Sequence, residues 1–227
     1  MSDTLETLLS PGADAAAAFS APARKPLSHG ELRALIARTV ASLNALGAGR
    51  NDRVAIVLPN GPEMAACFLA VASGAASAPL NPAYREEEFE FYIGDLNAKL
   101  LIAMRGVDTP ARAAAKKLGV PVVELVPDAN AGAGSFTLEA TAGAATPAIP
   151  AANGGFARPD DVAMVLHTSG TTSRPKILPL SCRACWTAGL SALTTVTGTG
   201  VVSRLASILP AGLTARRVPG VILSLRK

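Results

Sequence analysis

Apolar residues in the first part of the chain recur at helical spacing. Ser28 and Glu31 are spaced as a capping box, and Gly47 follows the last apolar position as a residue that favours the end of a helix. The apolar positions between them are Leu32, Leu35, Ile36, Leu43 and Leu46. This period of three to four residues predicts a helix that begins after Ser28 and ends before Gly47.

Short β-rich runs alternate with further segments of helical period. The strands are predicted at 53–58, 78–80, 99–103, 121–126 and 162–167. The helices between them are predicted at 64–71, 86–96 and 110–118. Strands that alternate with helices predict an α/β fold, in which helices flank a parallel sheet.

The character of the sequence changes along the chain and divides it into four parts. Residues 1–126 form a predicted first α/β subdomain. Residues 127–159 are rich in Ala, Gly, Thr and Pro without sustained periodicity, which predicts a surface excursion or an interdomain connection. Residues 160–182 are predicted to form a strand, a loop and a second strand. Residues 183–227 lose the alternation, so we expect a divergent, irregular tail.

Composition narrows the class of protein. Of the 227 residues, 49% are apolar and 17% charged, a balance typical of globular rather than disordered proteins. The longest uncharged apolar run, 64–80, is interrupted by Ser, Gly and Pro and is too short to predict a transmembrane segment. The acidic N-terminal residues do not resemble a signal peptide, so we expect a protein that is not secreted. Three cysteines without framework spacing favour a reducing compartment.

The positive net charge is concentrated late in the chain. Residues 162–227 contain eight Arg and Lys residues and no Asp or Glu, whereas the whole chain has a net charge of +4. A basic segment of this kind can bind nucleic acid, but aromatic residues do not interleave with these charges. We therefore expect no nucleic-acid partner.

The segment 168–176, TSGTTSRPK, has the composition of an anion-binding loop. It places five hydroxyl residues around Gly170 directly after a predicted strand, and ends at Lys176. Backbone amides and hydroxyls can donate to phosphate oxygens, and the lysine can neutralise phosphate charge. A solvent-exposed Ser/Thr turn is the alternative from composition alone. A P-loop is excluded, because Pro175 precedes the lysine and Ile177 follows it.

The order of residues in this loop is more specific than its composition. The sequence HTSGTTSRPK at 167–176 resembles the phosphate-loop signature of the AMP-binding, adenylate-forming superfamily, which includes acyl-CoA synthetases and luciferases. The segments 49–71, 78–93 and 98–103 resemble the first subdomain of that family in the same order. The residue pair Ser173 and Arg174 resembles the residues at these loop positions in the oxalyl-CoA synthetase branch of the family. The resemblance covers about residues 5–181.

The resemblance implies an activity and a set of site residues. It implies that a carboxylate attacks ATP to give an acyl-adenylate and pyrophosphate, and that coenzyme A then displaces AMP. ATP, Mg²⁺ and coenzyme A are the implied cofactors, and a small-molecule carboxylate is the implied substrate. No residue is implied as a metal ligand, and Lys176 is the implied catalytic residue. The implied ATP contacts are Thr168, Ser169, Gly170, Thr171, Thr172, Ser173 and Lys176.

Departures from the family pattern leave two interpretations open. Ile177 stands where the family has glycine, and the later motifs for adenine, ribose and the catalytic C-terminal lysine do not occur after about residue 183. We interpret the chain as a truncated AMP-binding domain of a cytoplasmic or peroxisomal enzyme. The alternative is a catalytically inactive nucleotide-binding or non-functional fragment from a misread or truncated gene.

Other candidate residues predict less. Cys182 and Cys185 have the spacing of a metal or redox pair, but a second ligand pair is missing, which favours incidental cysteines. His167 precedes the loop, and it either lines the nucleotide or acyl pocket or is a strand-end histidine satisfied by the backbone. Trp186 is interpreted as a packing residue. The glycines at 197–200 lack the full dinucleotide-binding pattern.

Overall fold

The computed structural model describes residues 13–141, 150–168 and 175–187, together with Thr4, Leu5 and Leu9. The greater part of the predicted loop, 169–174, and of the predicted irregular tail, 188–227, lies outside the described residues.

The described residues form short helices and strands in alternation. The helices are α1 (His29–Ala45), α2 (Pro62–Ala72), α3 (Glu86–Asp95), α4 (Pro110–Lys117) and α5 (Cys182–Thr187). The strands are β1 (Ala17–Phe19), β2 (Leu27–Ser28), β3 (Arg53–Val57), β4 (Ala76–Pro79), β5 (Leu100–Met104), β6 (Val122–Pro127), β7 (Phe136–Ala140), β8 (Val162–Thr168) and β9 (Lys176–Ser181).

Seven of these strands form one sheet with the order β7-β6-β5-β3-β4-β8-β9. The five inner strands run parallel, with Val54 level with Leu100 on one side and Arg53 level with Ala76 on the other. The two edge strands, β7 and β9, are antiparallel to their neighbours. The predicted α/β fold with a parallel sheet and flanking helices is confirmed, with an antiparallel strand added at each edge.

Helices cover both faces of the sheet because alternate strand residues point to opposite sides. In β3, Val54 and Ile56 lie in one apolar cluster with residues of α1 and α2, such as Leu32. Ala55 lies in a second cluster with residues of α3 and α4, such as Phe89. Both faces of the central strands are therefore buried, which explains why these strands read as continuous apolar runs.

The helix ends follow the sequence signals. The Ser28 hydroxyl accepts from the amide of Glu31 at 3.2 Å, and the amide of Ser28 donates to the Glu31 carboxylate at 2.8 Å, so the predicted capping box is confirmed. Gly47 and Gly119 follow α1 and α4 with φ of 84° and 68°, a backbone conformation that favours glycine.

Part of the segment 127–159 belongs to the sheet. β7 pairs with β6 from Phe136, opposite Pro127, to Ala140, opposite Val123. The sequence analysis did not predict this strand. Phe136 is its one buried residue. The strand sequence FTLEA alternates apolar and polar residues, but this alternation spans only five positions within a segment rich in Ala, Gly, Thr and Pro. Residues 142–149 of the same segment lie outside the described residues.

The apolar run 64–80 forms α2 and β4 inside this fold. Within the described part of the chain, the search for a helix with the length and hydropathy of a membrane span finds none.

Candidate functional site

The two ends of the predicted anion-binding loop lie at the end of the β8–β9 pair. Thr168 is paired with Lys176, and His167 is paired with Ile177 in the preceding position of the ladder. The structure therefore brings the two ends of the loop together. The other implied contacts fall outside the described residues and stay predictions; they are Ser169, Gly170, Thr171, Thr172 and Ser173.

The hairpin tip lies at the edge of the sheet where the parallel strands end. β8 runs parallel to β4, so its carboxyl end points to the same edge as those of the other inner strands. In open α/β sheets, ligands bind in the crevice outside the carboxyl ends of the strands. The loop therefore starts at the edge of the sheet that such folds use for binding.

Lys176 is the first residue of β9 and has an exposed side chain. Its neighbour Ile177 packs against the apolar cluster beneath α3 and α4. Because successive strand residues point to opposite faces, Lys176 and Ile177 lie on opposite sides of β9. The lysine thus places a positive charge beside the end of the loop.

His167 is nearly buried, at 9% side-chain exposure, and contacts the end of α3. Its Nε2 lies 3.1 Å from Oδ2 of Asp95, the last residue of that helix. The ring of Tyr92 approaches the imidazole edge-on, with 4.7 Å between centroids. The sequence analysis left two alternatives for His167, a pocket lining and a strand-end histidine satisfied by the backbone. The structure shows that Nε2 is satisfied by a carboxylate, and the pocket lining stays a prediction.

An aromatic cluster continues from His167 along α3. Tyr84 stacks on Tyr92 with 4.9 Å between ring centroids and meets Phe89 edge-on at 5.8 Å. Burial, followed by the hydrogen bond with Tyr92, raises the pKa of Tyr84 to about 12, so its hydroxyl stays protonated near neutral pH. The sequence analysis predicted a helix over 86–96, which contains Tyr92, but did not connect this residue with His167. Their separation along the chain gave no local signal for the contact.

The two late cysteines are poor candidates for chemistry. Cys182 is buried, Cys185 is half-buried, and both are free thiols. Burial raises the pKa of each thiol to about 11, which leaves the thiolate, the reactive and metal-binding form, rare near neutral pH. Among the described residues, no group of three or more His, Cys, Asp or Glu is arranged to hold a metal ion.

Comparison with protein families gives one match along almost the whole chain. The model described as "AMP-binding enzyme" matches residues 10–227. The matched range includes residues 183–227, whereas the sequence motifs carried the resemblance only to about residue 181.

Two curated relatives are oxalate–CoA ligases. The relative from Arabidopsis thaliana is 40% identical over 166 residues, which is 72% of this chain and 32% of that protein. The relative from Saccharomyces cerevisiae is 36% identical over 149 residues, 58% of this chain and 27% of that protein. The chain thus spans about a third of the length of these relatives.

Solved structures share the fold. Apo MatB from Rhodopseudomonas palustris superposes with a TM-score of 0.64 at 29% identity, covering 86% of this chain and 37% of that protein. The N-terminal domain of FACL13 from Mycobacterium tuberculosis superposes with a TM-score of 0.55 at 23% identity, covering 80% of this chain and 45% of that one. The second similarity concerns the fold alone.

Proposed function

Because the chain belongs to the AMP-binding enzyme family, we propose that it supplies the ATP phosphate loop of an enzyme that activates a carboxylate. In this reaction a carboxylate oxygen attacks the α-phosphorus of ATP, and pyrophosphate leaves as the acyl-adenylate forms. The thiolate of coenzyme A then attacks the acyl carbon, and AMP leaves as acyl-CoA forms. The observation that supports the proposal most strongly is the family loop sequence at 168–176, closed by the Thr168–Lys176 pair.

The contribution of the loop to this reaction is electrostatic. Its hydroxyls and amides are donors, and Lys176 adds a full positive charge, so the donor set suits phosphate oxygens. Groups held in place around the transferring phosphate stabilise the charge that develops there. Residues 168–176 contain no carboxylate, so this loop is suited to the phosphates rather than to a metal ion. Mg²⁺, when bound with the nucleotide, neutralises phosphate charge.

The substrate class is a small carboxylic acid. Two relatives that share 36–40% identity with the chain are named for oxalate. Ser173 and Arg174 at the end of the loop also follow the oxalyl-CoA synthetase pattern. Oxalate is therefore the first acid to test.

Replacement of Lys176 by alanine tests the loop. We expect Lys176→Ala to weaken ATP binding to the 227-residue chain about tenfold or more, because it removes a charge-assisted hydrogen bond to phosphate. Lys99→Ala is the matched control. Lys99 is also exposed, but it precedes β5 and therefore lies at the opposite edge of the sheet. Isothermal titration measures both affinities, and equal affinities for the two variants would remove the loop from the proposal.

A second assay separates the two functional candidates. Oxalate-dependent exchange of pyrophosphate into ATP by the purified chain would support activation of a carboxylate by these residues alone. ATP binding without exchange would favour the alternative, a catalytically inactive nucleotide-binding chain.

A further inference from the structure

The end of β8 extends past its inner neighbour in the sheet. β4 and β8 are in register at Ser77 and Met164, and β4 ends two residues later at Pro79. By this register, His167 and Thr168 lie beyond the end of β4. β9 pairs with both residues on the other side. The backbone position of His167 and Thr168 is therefore set by β9 and by the residues that pack against this face of the sheet.

The C-terminal end of α3 provides that second support. Asp95 ends the helix, and its Oδ2 accepts a hydrogen bond from Nε2 of His167 over 3.1 Å. Phe89 and Ile93 of the same helix are fully buried in the cluster that also contains Val165 of β8. Because these apolar residues fix α3 against the sheet, they also fix the carboxylate that holds the imidazole.

The imidazole is held on a second side by an aromatic ring. Tyr92 lies three residues before Asp95, on the same helix face, and its ring plane makes an angle of 68° with that of His167. Tyr92 is itself stacked on Tyr84. The hydrogen bond to Asp95 and the ring contact with Tyr92 approach the imidazole from different directions. Together they fix both the position and the rotation of the His167 side chain.

Packing alone does not require a histidine at this position. Val165 fills the same sheet face two residues earlier, and Ile177, opposite His167, packs against the same cluster with an apolar side chain. A nearly buried imidazole is stable only where a partner satisfies it, and the hydrogen bond to Asp95 is directional. Because His167 directly precedes Thr168, this hydrogen bond is better suited to orienting the backbone there than to filling space in the core.

We infer that His167 is a positioning residue of the nucleotide site. Asp95 holds its imidazole, and this contact sets the direction in which the chain leaves β8 at Thr168 and enters the phosphate loop. The end of α3 thereby becomes part of the support of the nucleotide site. The inference rests on the proposed function of the loop at 168–176.

Two substitutions of His167 separate the hydrogen bond from the volume of the side chain. In His167→Gln the amide nitrogen occupies nearly the place of Nε2 and can still donate to Asp95, whereas in His167→Asn it is too short to reach. We expect the Gln variant to retain ATP affinity within about twofold and the Asn variant to lose about fivefold, the effect of one partly exposed hydrogen bond. Asp95→Ala should lose as much as His167→Asn.

Combining the substitutions tests whether the two residues act together. The double variant Asp95→Ala/His167→Asn should bind ATP no more weakly than either single variant, because each already removes the same contact. Glu87→Ala is the control on α3, since Glu87 is exposed at the other end of the helix. Thermal unfolding without nucleotide is measured for every variant. Lost ATP affinity with an unchanged unfolding midpoint supports positioning.

The outcomes distinguish this inference from the proposed function. Loss of affinity in Lys176→Ala, with unchanged affinity in His167→Asn and Asp95→Ala, would overturn the positioning role and leave the loop in place. Equal losses in the Gln and Asn variants, with a parallel fall in unfolding midpoint, would make His167 a packing residue and overturn the inference. Absence of ATP binding by the unsubstituted chain would overturn both proposals.

Discussion

Among single residues, a partly buried ion pair links helix α4 to the sheet. The guanidinium of Arg112, on α4, donates to both carboxylate oxygens of Glu124 on β6, at 2.6 and 2.9 Å. The two side chains are 25% and 13% exposed. A neighbouring pair, Arg105 with Glu139, has a similar distance of 2.6 Å but is about half exposed. The first pair should therefore contribute more to stability than the second.

Replacement of Glu124 by glutamine tests this difference. The hydrogen bonds from Arg112 hold the pKa of Glu124 below its ordinary value near 4.5, although burial acts in the opposite direction. We expect Glu124→Gln to lower the free energy of unfolding by about 1–2 kcal/mol at neutral pH. Urea unfolding measures this loss, and Glu139→Gln, the control, should cost less than about 0.5 kcal/mol.

The same substitution should change the dependence of stability on pH. Since the pKa of Glu124 is lowered on folding, its contribution is complete above the ordinary pKa and disappears as the pH falls through the lower folded value. The Glu124→Gln variant should therefore lose less stability than the wild-type chain between about pH 5 and about pH 3. Parallel curves for the two proteins across this range would contradict the assignment.

At the scale of elements, the stretch before β7 is built into the fold. Asp128 accepts from the amides of Asn130 and Ala131 and donates its own amide to the carbonyl of Ser135. Gly134 has φ of 87°, and a Cβ at this position would lie 2.8 Å from the carbonyl oxygen of Pro62 in α2. The turn thus packs directly against the start of a core helix.

Replacement of Gly134 by alanine tests this packing. We expect Gly134→Ala to lower the unfolding free energy by about 2–4 kcal/mol, since a left-handed backbone costs about 1–2 kcal/mol for a non-glycine residue and the clash adds to it. Gly106→Ala is the matched control. Gly106 has φ of 74° but open space around it, so only the backbone cost applies. Equal losses in the two variants would show that the turn is not packed against α2.

The inner elements could be predicted from the sequence, and the edge elements could not. Inner strands such as β3 and β5 are buried on both faces, so their apolar runs are a local signal of their position. β7 pairs with β6 at the edge of the sheet, and its alternation of apolar and polar residues spans only five positions within an Ala-, Gly- and Pro-rich segment, so the sequence analysis missed it. The short pair β1–β2 was missed for the same reason, because two or three residues carry no periodicity.

In the candidate site, too, the consecutive residues could be predicted from the sequence and the long-range contact could not. The loop at 168–176 was recognisable because its chemistry lies in consecutive residues. The contact between His167 and Asp95 joins residues 72 positions apart, and nothing in either local sequence indicates it. Such a contact depends on how α3 packs on the sheet, which is a property of the tertiary structure.

At the scale of the whole molecule, the two apolar layers place the loop at one edge of the sheet. The parallel inner strands end together at this edge, and the β8–β9 hairpin closes the loop there. Helix α3, which packs on the second face of the sheet, contacts His167 at this same edge. We propose that a nucleoside triphosphate binds at this edge, where β8 ends and β9 begins.

Nuclear magnetic resonance of the isotope-labelled 227-residue chain can locate the bound nucleotide. On titration with ATP, the largest changes in amide chemical shift should occur within residues 168–176, and the signal of Lys99, at the opposite edge, should stay constant. The shifts within the loop should also disappear in Lys176→Ala. Saturable shifts centred on any other part of the chain, with the amides of 168–176 unchanged, would contradict the account.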